Sequence, residues 1–392
     1  MRKSLLILEV FLLLIALWCL SGCGGSASSN SQSQPTPARV VATVPVGFGP
    51  SAVDVNPVTD RIYVVNVDDQ PATVSVIDGG TNSLVATVPV GLNPFAVAVN
   101  SSTNKIYVSN SGEQSVTVID GATNSTTTVG VGRQPFGLAV NTATNQVYVA
   151  NYASQSVTVI DGATNNTTSV ATDLGPYFVA VNPVTNKAYV TNTQLSNTVT
   201  VIDGTTNQTQ TISVGFNPAS IAIDTVTNTL YVAGVSHGTY SVDVIDGATL
   251  AITSVDTNNP SGAIFGAPAV NAATNKIYVP HQLGSVAVID GATLNVTSVL
   301  AGQAPQSVSV DAGINQVYVV NGYASPTPGT TVTVIDGTTN STTTLQTGVS
   351  PAQAAVNSAT HRVYVSNSCG NDMSCPTGTP AQGTVSVIEA AH

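Results

Sequence analysis

The chain holds few side chains able to do acid–base, nucleophilic or metal chemistry, and eight of its 20 carboxylates recur at one position of a repeat. Asp78, Asp120, Asp161, Asp203, Asp246, Asp290 and Asp336 each close a Val-Ile-Asp tripeptide, and Glu389 closes an eighth. Carboxylates can serve as general acids or bases. One active site does not need eight, however, and an Asp before Gly can bond nearby backbone amides and shape a turn. The repeated acid is therefore expected to be structural. His237 and His281 fall in the same stretch of two neighbouring units, where a metal or an acid–base pair is conceivable. They are weak metal candidates, because they lack a third ligand nearby. His361 and the terminal His392 are expected to do nothing. Arg133 is the only cation in the segments that join one unit to the next, so it could meet an anion; Asp173 and Tyr177 lie in the following segment. Arg133, Asp173, Tyr177, His237 and His281 are thus the ligand-binding candidates. Phe95, Phe136 and Phe178 read as packing residues before they read as a ligand platform. No Gly-x-Ser-x-Gly, His-Glu-x-x-His, phosphate-binding glycine loop or acidic calcium loop occurs, so no catalytic residue and no cofactor is expected.

The remaining cysteines and charges bear on location. Basic Arg2 and Lys3 precede an apolar run at residues 10–20, and Leu20-Ser21-Gly22-Cys23 follows. This order describes a secretory signal. The tetrapeptide resembles a bacterial lipobox, which implies a signal peptide at 1–22 and a lipid on Cys23. The alternative is an uncleaved anchor at residues 4–20, which is short and contains Glu9. Residues 23–39, rich in Ser and Gln, read as a flexible tether. Export would favour a disulfide between Cys369 and Cys375, six apart; a metal site is the rival, without a His or further Cys at ligand spacing. The chain has 9 basic and 20 acidic residues, with no basic cluster after Lys3, which argues against a nucleic-acid partner.

The elements that must position these residues come from an internal repeat. Tyr63, Tyr107, Tyr148, Tyr189, Tyr231, Tyr278, Tyr318 and Tyr364 are each followed by Val, at spacings of 40 to 47 residues. Each unit reads as four short strands separated by Asn- and Gly-rich turns, the period of a propeller blade. Residues 40–47 match a fourth strand, while the last copy has only three. The prediction is an all-β, eight-bladed β-propeller over residues 40–389, its last blade closed by the N-terminal strand, with a tail at 390–392. The unit AVNxxTNxxYVxN…VxVIDGxTN…VGxxP resembles the YVTN-type propeller repeat, and Tyr189-Val190-Thr191-Asn192 spells that signature. The resemblance covers residues 40–389 and implies an extracytoplasmic, surface-layer-like or adhesion-like protein; Gly234 and His281 depart from the signature Asn. More distantly it implies kinship of fold with lactonase-type propellers.

Seven residues separate the end of each first strand from its Tyr in all eight units, whereas 12 to 25 separate the Tyr from the following acid. Length variation therefore falls in the loop between strands two and three, on the same face as the VGxxP connections. Variable loops on a rigid scaffold are where binding evolves. The expected function is that of a membrane-anchored, non-catalytic binding or scaffold lipoprotein of the cell envelope. A lactonase-like hydrolase and a metal or redox partner are the alternatives. Its expected partners are a membrane through Cys23 and a protein, glycan or small molecule on the variable face, and it is expected to be a monomer.

Overall fold

Polar turns that each break a run of Val, Ile and Tyr leave this chain one way to bury those runs: sheet against sheet. The computed structural model describes residues 36–391 apart from 195, 237–238, 259–265, 325–326, 374 and 376–380. Among them, strands from Arg39 to Glu389 form eight four-stranded antiparallel sheets. Blades 1 to 7 occupy residues 50–89, 94–130, 135–171, 176–213, 217–256, 269–300 and 305–346. Blade 8 takes residues 351–389 and is completed by Arg39–Phe48, which pairs antiparallel with Gln382–Glu389. First strands of successive blades adjoin one another and return from blade 8 to blade 1, so the sheets form a closed β-propeller. The signal, lipid and tether assignments at residues 1–22, Cys23 and 24–35 lie outside the described residues.

Each position in a blade has its own composition for a physical reason. A second strand such as Lys105–Asn110 lies between neighbouring sheets, so Ile106, Tyr107 and Val108 are all fully buried and the strand reads as a continuous apolar run. A fourth strand such as Thr126–Gly130 is largely exposed, which suits Thr: β-branched and polar at once. The core consists of blade–blade interfaces. Tyr107, Val116, Val118 and Val129 of blade 2, for example, pack on Val147, Val149 and Ile160 of blade 3. Each of the eight apolar clusters spans two adjacent blades in this way.

A polar ring accompanies the apolar one. The Asn ending six of the eight first strands reaches the turn of the next blade: Asn56 Nδ2 donates to Asn104 Oδ1, Asn100 to Asn145, Asn141 to Asn186, Asn182 to Asn228 and Asn271 to Asn315, each at 2.8 Å. Asn357 closes the circuit by donating to Asp60 Oδ1 at 2.7 Å. The accepting turn residues have φ near +50° (51° at Asp60, 53° at Asn104, 55° at Asn145), a conformation Asn and Asp tolerate best. One side chain thus makes both the turn and the inter-blade bond, which accounts for the invariant seven-residue offset. The glycine of Val-Ile-Asp-Gly packs onto the same turn: a Cβ at Gly121 would lie 2.4 Å from Asn104 Oδ1.

Between blades 7 and 8 the pair is exchanged for another. Asp311 replaces the strand Asn, His361 the turn Asn, and His361 Nδ1 lies 2.8 Å from Asp311 Oδ2. The expectation that His361 does nothing is corrected here, because this contact holds the blade step. The repeated acid is structural. Asp120 Oδ1 accepts the amides of Thr123 and Ala122 at 2.9 and 3.0 Å, and these amides hold its carboxyl below the usual range.

Two outcomes test this account. Asn141→Ala leaves Asn186 Oδ1 without its donor and should cost about 1–3 kcal/mol in denaturant titrations. Removing residues 39–48 strips blade 8 of its fourth strand and should lower and broaden the thermal transition; an unchanged melt would contradict closure.

Candidate functional site

The loops of the variable face stand on the signature Asn. In blade 2, Asn110 Nδ2 donates to Ser115 Oγ at 2.9 Å and Thr117 Oγ1 at 3.0 Å, both on the third strand. The glycine of the VGxxP connection rests on this amide: a Cβ at Gly91 would lie 2.6 Å from Asn110 Cγ. Where the Asn is lost, its neighbours change with it. Blade 5 has Gly234 there, and a Cβ at the matching Gly215 would meet nothing within 4 Å. Asp243 replaces the third-strand Thr, accepting the Gly215 amide at 3.1 Å and the Ser254 hydroxyl at 2.5 Å.

Blade 6 has His281 in the same place. The ring is 2% exposed, with Nε2 3.1 Å from Thr257 Oγ1 and Nδ1 3.4 Å from Ser285 Oγ. Burial pushes its pKa down to about 4, so the imidazole is neutral at ordinary pH. His281 therefore sits inside the blade instead of at the channel mouth. His237 lies outside the described residues. Among the described residues no three His, Cys, Asp or Glu side chains gather as a metal site. Cys369 and Cys375 are joined by a disulfide that clips the long loop of blade 8.

The other candidates separate in the same way. Asp173 stands where other connections have Gly, and its Oδ2 accepts the Thr198 hydroxyl at 2.8 Å, taking part in the loop's own framework. Arg133 is exposed, but its guanidinium donates to Ala153 O at 2.8 Å and its amide to Ser154 Oγ at 2.6 Å. Tyr177 alone joins a larger assembly.

That assembly is aromatic. The residue after the connecting Pro is Phe95 in blade 2, Phe136 in blade 3 and Tyr177 in blade 4. In blades 1, 5, 7 and 8 it is Ser51, Ala219, Gln306 and Ala352. Adjacent first strands bring the three rings together: Phe95–Phe136 centroids are 4.8 Å apart and Phe136–Tyr177 5.1 Å. Tyr152, from the variable loop of blade 3, adds an edge contact to Phe136 at 5.3 Å, and Phe178 one to Tyr177 at 4.9 Å. The tilted and edge-on arrangements are those favoured by aromatic quadrupoles. The five rings are half-buried and form an arc over one side of the channel mouth. Gly137 permits it, since a Cβ there would lie 2.4 Å from Tyr177 O.

The arc borders two cavities. One, of about 420 Å³, is lined by Gln134, Phe136, Tyr152, Tyr177, Thr193 and residues 217–219. The other, of about 300 Å³, is the channel mouth, where Phe95 and Phe178 face Ser51, Gln306 and Gln353. Neither lining includes a titratable acid or base apart from the two phenols. Asp54, further along the blade 1 first strand, accepts the amides of Val55 and, from blade 2, Val99, both at 2.8 Å; burial pushes its carboxyl up to about 6. The corresponding residues are Ala98, Ala139, Ala180, Ala222, Ala269, Ser309 and Ala355, so at this position of the eight first strands only Asp54 is a carboxylate. The face offers stacking surfaces and neutral hydrogen-bonding groups, a composition suited to binding.

A family model described as choice-of-anchor I domain matches residues 16–229, more than half of the chain. No curated protein matches. Among solved structures, hydrazine synthase of Kuenenia stuttgartiensis is similar in fold, with a TM-score of 0.59 and 18% identity, over 77% of this chain and 97% of that one. In all, 1568 solved chains match, a breadth that attaches the likeness to the fold and to no one activity.

The His281 geometry predicts a sign for acid sensitivity. The unfolded imidazole takes a proton near 6.5, whereas the folded one resists until about 4. Its contribution to stability is complete above 6.5 and is lost as pH falls from 6.5 to 4. His281→Asn restores the signature residue and should remove that part of the pH dependence. Parallel stability–pH curves for the two proteins would contradict the assignment.

Proposed function

We propose that this chain, which belongs to the choice-of-anchor I domain family, is a membrane-anchored, non-catalytic binding module of the cell envelope. The choice-of-anchor I match supports a cell-surface or extracytoplasmic setting. The finer reading adds a YVTN-type repeat lipoprotein with a signal at 1–22 and a lipid on Cys23, supported by the Leu20-Ser21-Gly22-Cys23 tetrapeptide and the recurring Tyr-Val-x-Asn. The observation that carries the binding reading is the aromatic arc. Five rings from three consecutive blades converge on the face whose loops vary, beside a cavity with neutral polar walls. Half-exposed aromatic clusters of this kind supply much of the energy at binding surfaces.

Two measurements test this reading. In a bacterium that matures lipoproteins, the wild-type chain should incorporate labelled fatty acid and sediment with membranes. Cys23→Ala should lose the label and appear in the soluble extracytoplasmic fraction; a variant that still sediments overturns the lipid anchor. For binding, Phe136→Ala/Tyr177→Ala should reduce retention of the full chain on immobilised envelope polymers by about tenfold or more. Equal retention by a variant that melts normally would remove the arc from the function.

A further inference from the structure

We propose that the cavity beside Tyr152 and Tyr177 binds a neutral pyranose, as one or two rings of an uncharged oligosaccharide. The inference rests on the binding reading above and specifies its ligand class. A pyranose has two different surfaces: C–H faces that stack on aromatic rings, and an equatorial rim of hydroxyls that both donate and accept hydrogen bonds. The cavity offers both. Phe136, Tyr152 and Tyr177 supply the rings, with Tyr152–Tyr177 centroids 6.0 Å apart. Gln134 and Asn217 supply amides that donate and accept alike, and the Thr193 hydroxyl, which donates to Gly175 O at 3.1 Å, can accept. The side chains of Gln134 and Asn217 are exposed and make no hydrogen bond within the described protein, so they are free to meet hydroxyls.

Other ligand classes fit less well. A carboxylated or sulfated ligand needs a fixed cation. The nearest, Arg133, has its guanidinium on Ala153 O, and the chain carries a net charge of −11. A cationic ligand finds no carboxylate in the lining. A wholly apolar ligand would bury Gln134 and Asn217 without partners, a cost per group that opposes its entry. The volume of about 420 Å³ lies at the small end of the roughly 300–1,000 Å³ typical of ligand sites, which suits one or two sugar rings.

The repeat makes the placement informative. The five rings are confined to blades 2 to 4, while blades 1, 5, 7 and 8 keep Ser, Ala or Gln at the post-Pro position. A packing requirement of the propeller would recur in every blade, as the fully buried tyrosines do. The arc does not recur, so the fold does not demand it.

Calorimetry on the purified full chain in detergent tests the proposal with four probes: cellotetraose, mannotetraose, tetragalacturonate and the uncharged apolar dye N-phenyl-1-naphthylamine. At least one neutral tetrasaccharide is expected to bind. Tyr177→Ala and Gln134→Ala should each weaken it at least about fivefold, Tyr177→Phe should keep most of the affinity, and Arg133→Ala should leave it unchanged. Binding of tetragalacturonate or of the dye alone, sensitive to Tyr177→Ala, overturns the sugar assignment while the binding face stands. No binding of any probe also overturns it, and the envelope-retention result then decides the wider reading separately. Release of shorter sugars from a bound oligosaccharide would support the ligand class and overturn the non-catalytic role.

Discussion

Every sheet in this molecule buries its large residues against a neighbouring sheet, and none has a core of its own. The eight fully buried tyrosines and the Val and Ile beside them sit in interfaces shared by two blades. A blade alone would expose both apolar faces, so the ring must close for any blade to be stable. Closure is why the first strand, Arg39–Phe48, lies beside the last, Gln382–Glu389, and why the chain ends join in one blade. Conformational entropy makes such a fold possible only because turns are cheap: Asp60, Asn104, Asn145, Asn186, Asn228 and Asn315, at positive φ, each both reverse the chain and accept a bond from the previous blade.

Substitutions inside the repeat show how tightly these roles are coupled. Losing the signature Asn at Gly234 goes with gaining a carboxylate at Asp243, which takes up the loop amide that now lacks a partner. Exchanging Asn for Asp311 goes with His361 in place of the turn Asn, so the step between blades 7 and 8 keeps a polar link. His281 fills the signature position with a neutral imidazole. In each case a residue that looks chemically able in isolation is occupied by the framework. Buried polar groups need partners, and at these two places a change in one member of a pair goes with a change in the other.

The aromatic arc follows a different logic. It breaks the symmetry of the ring without being required by it, and it lies where loop lengths vary. Its rings are held by first strands of three blades, and the small residues opposite them leave the channel mouth open. A rigid scaffold with one decorated sector can present a fixed array of rings to a ligand with little loss of entropy on binding.

The sequence by itself determined the blade number, the four-strand unit, the split final blade, the turn chemistry and the two faces. All of these follow from local rules repeated at short range: Asn and Gly at turns, β-branched runs between them, and a fixed hairpin length. It also singled out Tyr177 as a candidate. What it could not show was which distant residues meet. Phe95, Phe136 and Tyr177 are about one blade apart in the chain, and Phe95 and Phe136 read alone as packing residues. Aligning the post-Pro positions of the eight units was the one available signal that blades 2 to 4 differ. His281 and Asp173 looked equally accessible in the sequence, yet side-chain direction within the blade turned them toward Thr257 and Thr198. Only the tertiary structure decided these matters, because the closed ring fixes the angle between blades, and that angle determines whether a side chain faces a neighbour, the channel or solvent.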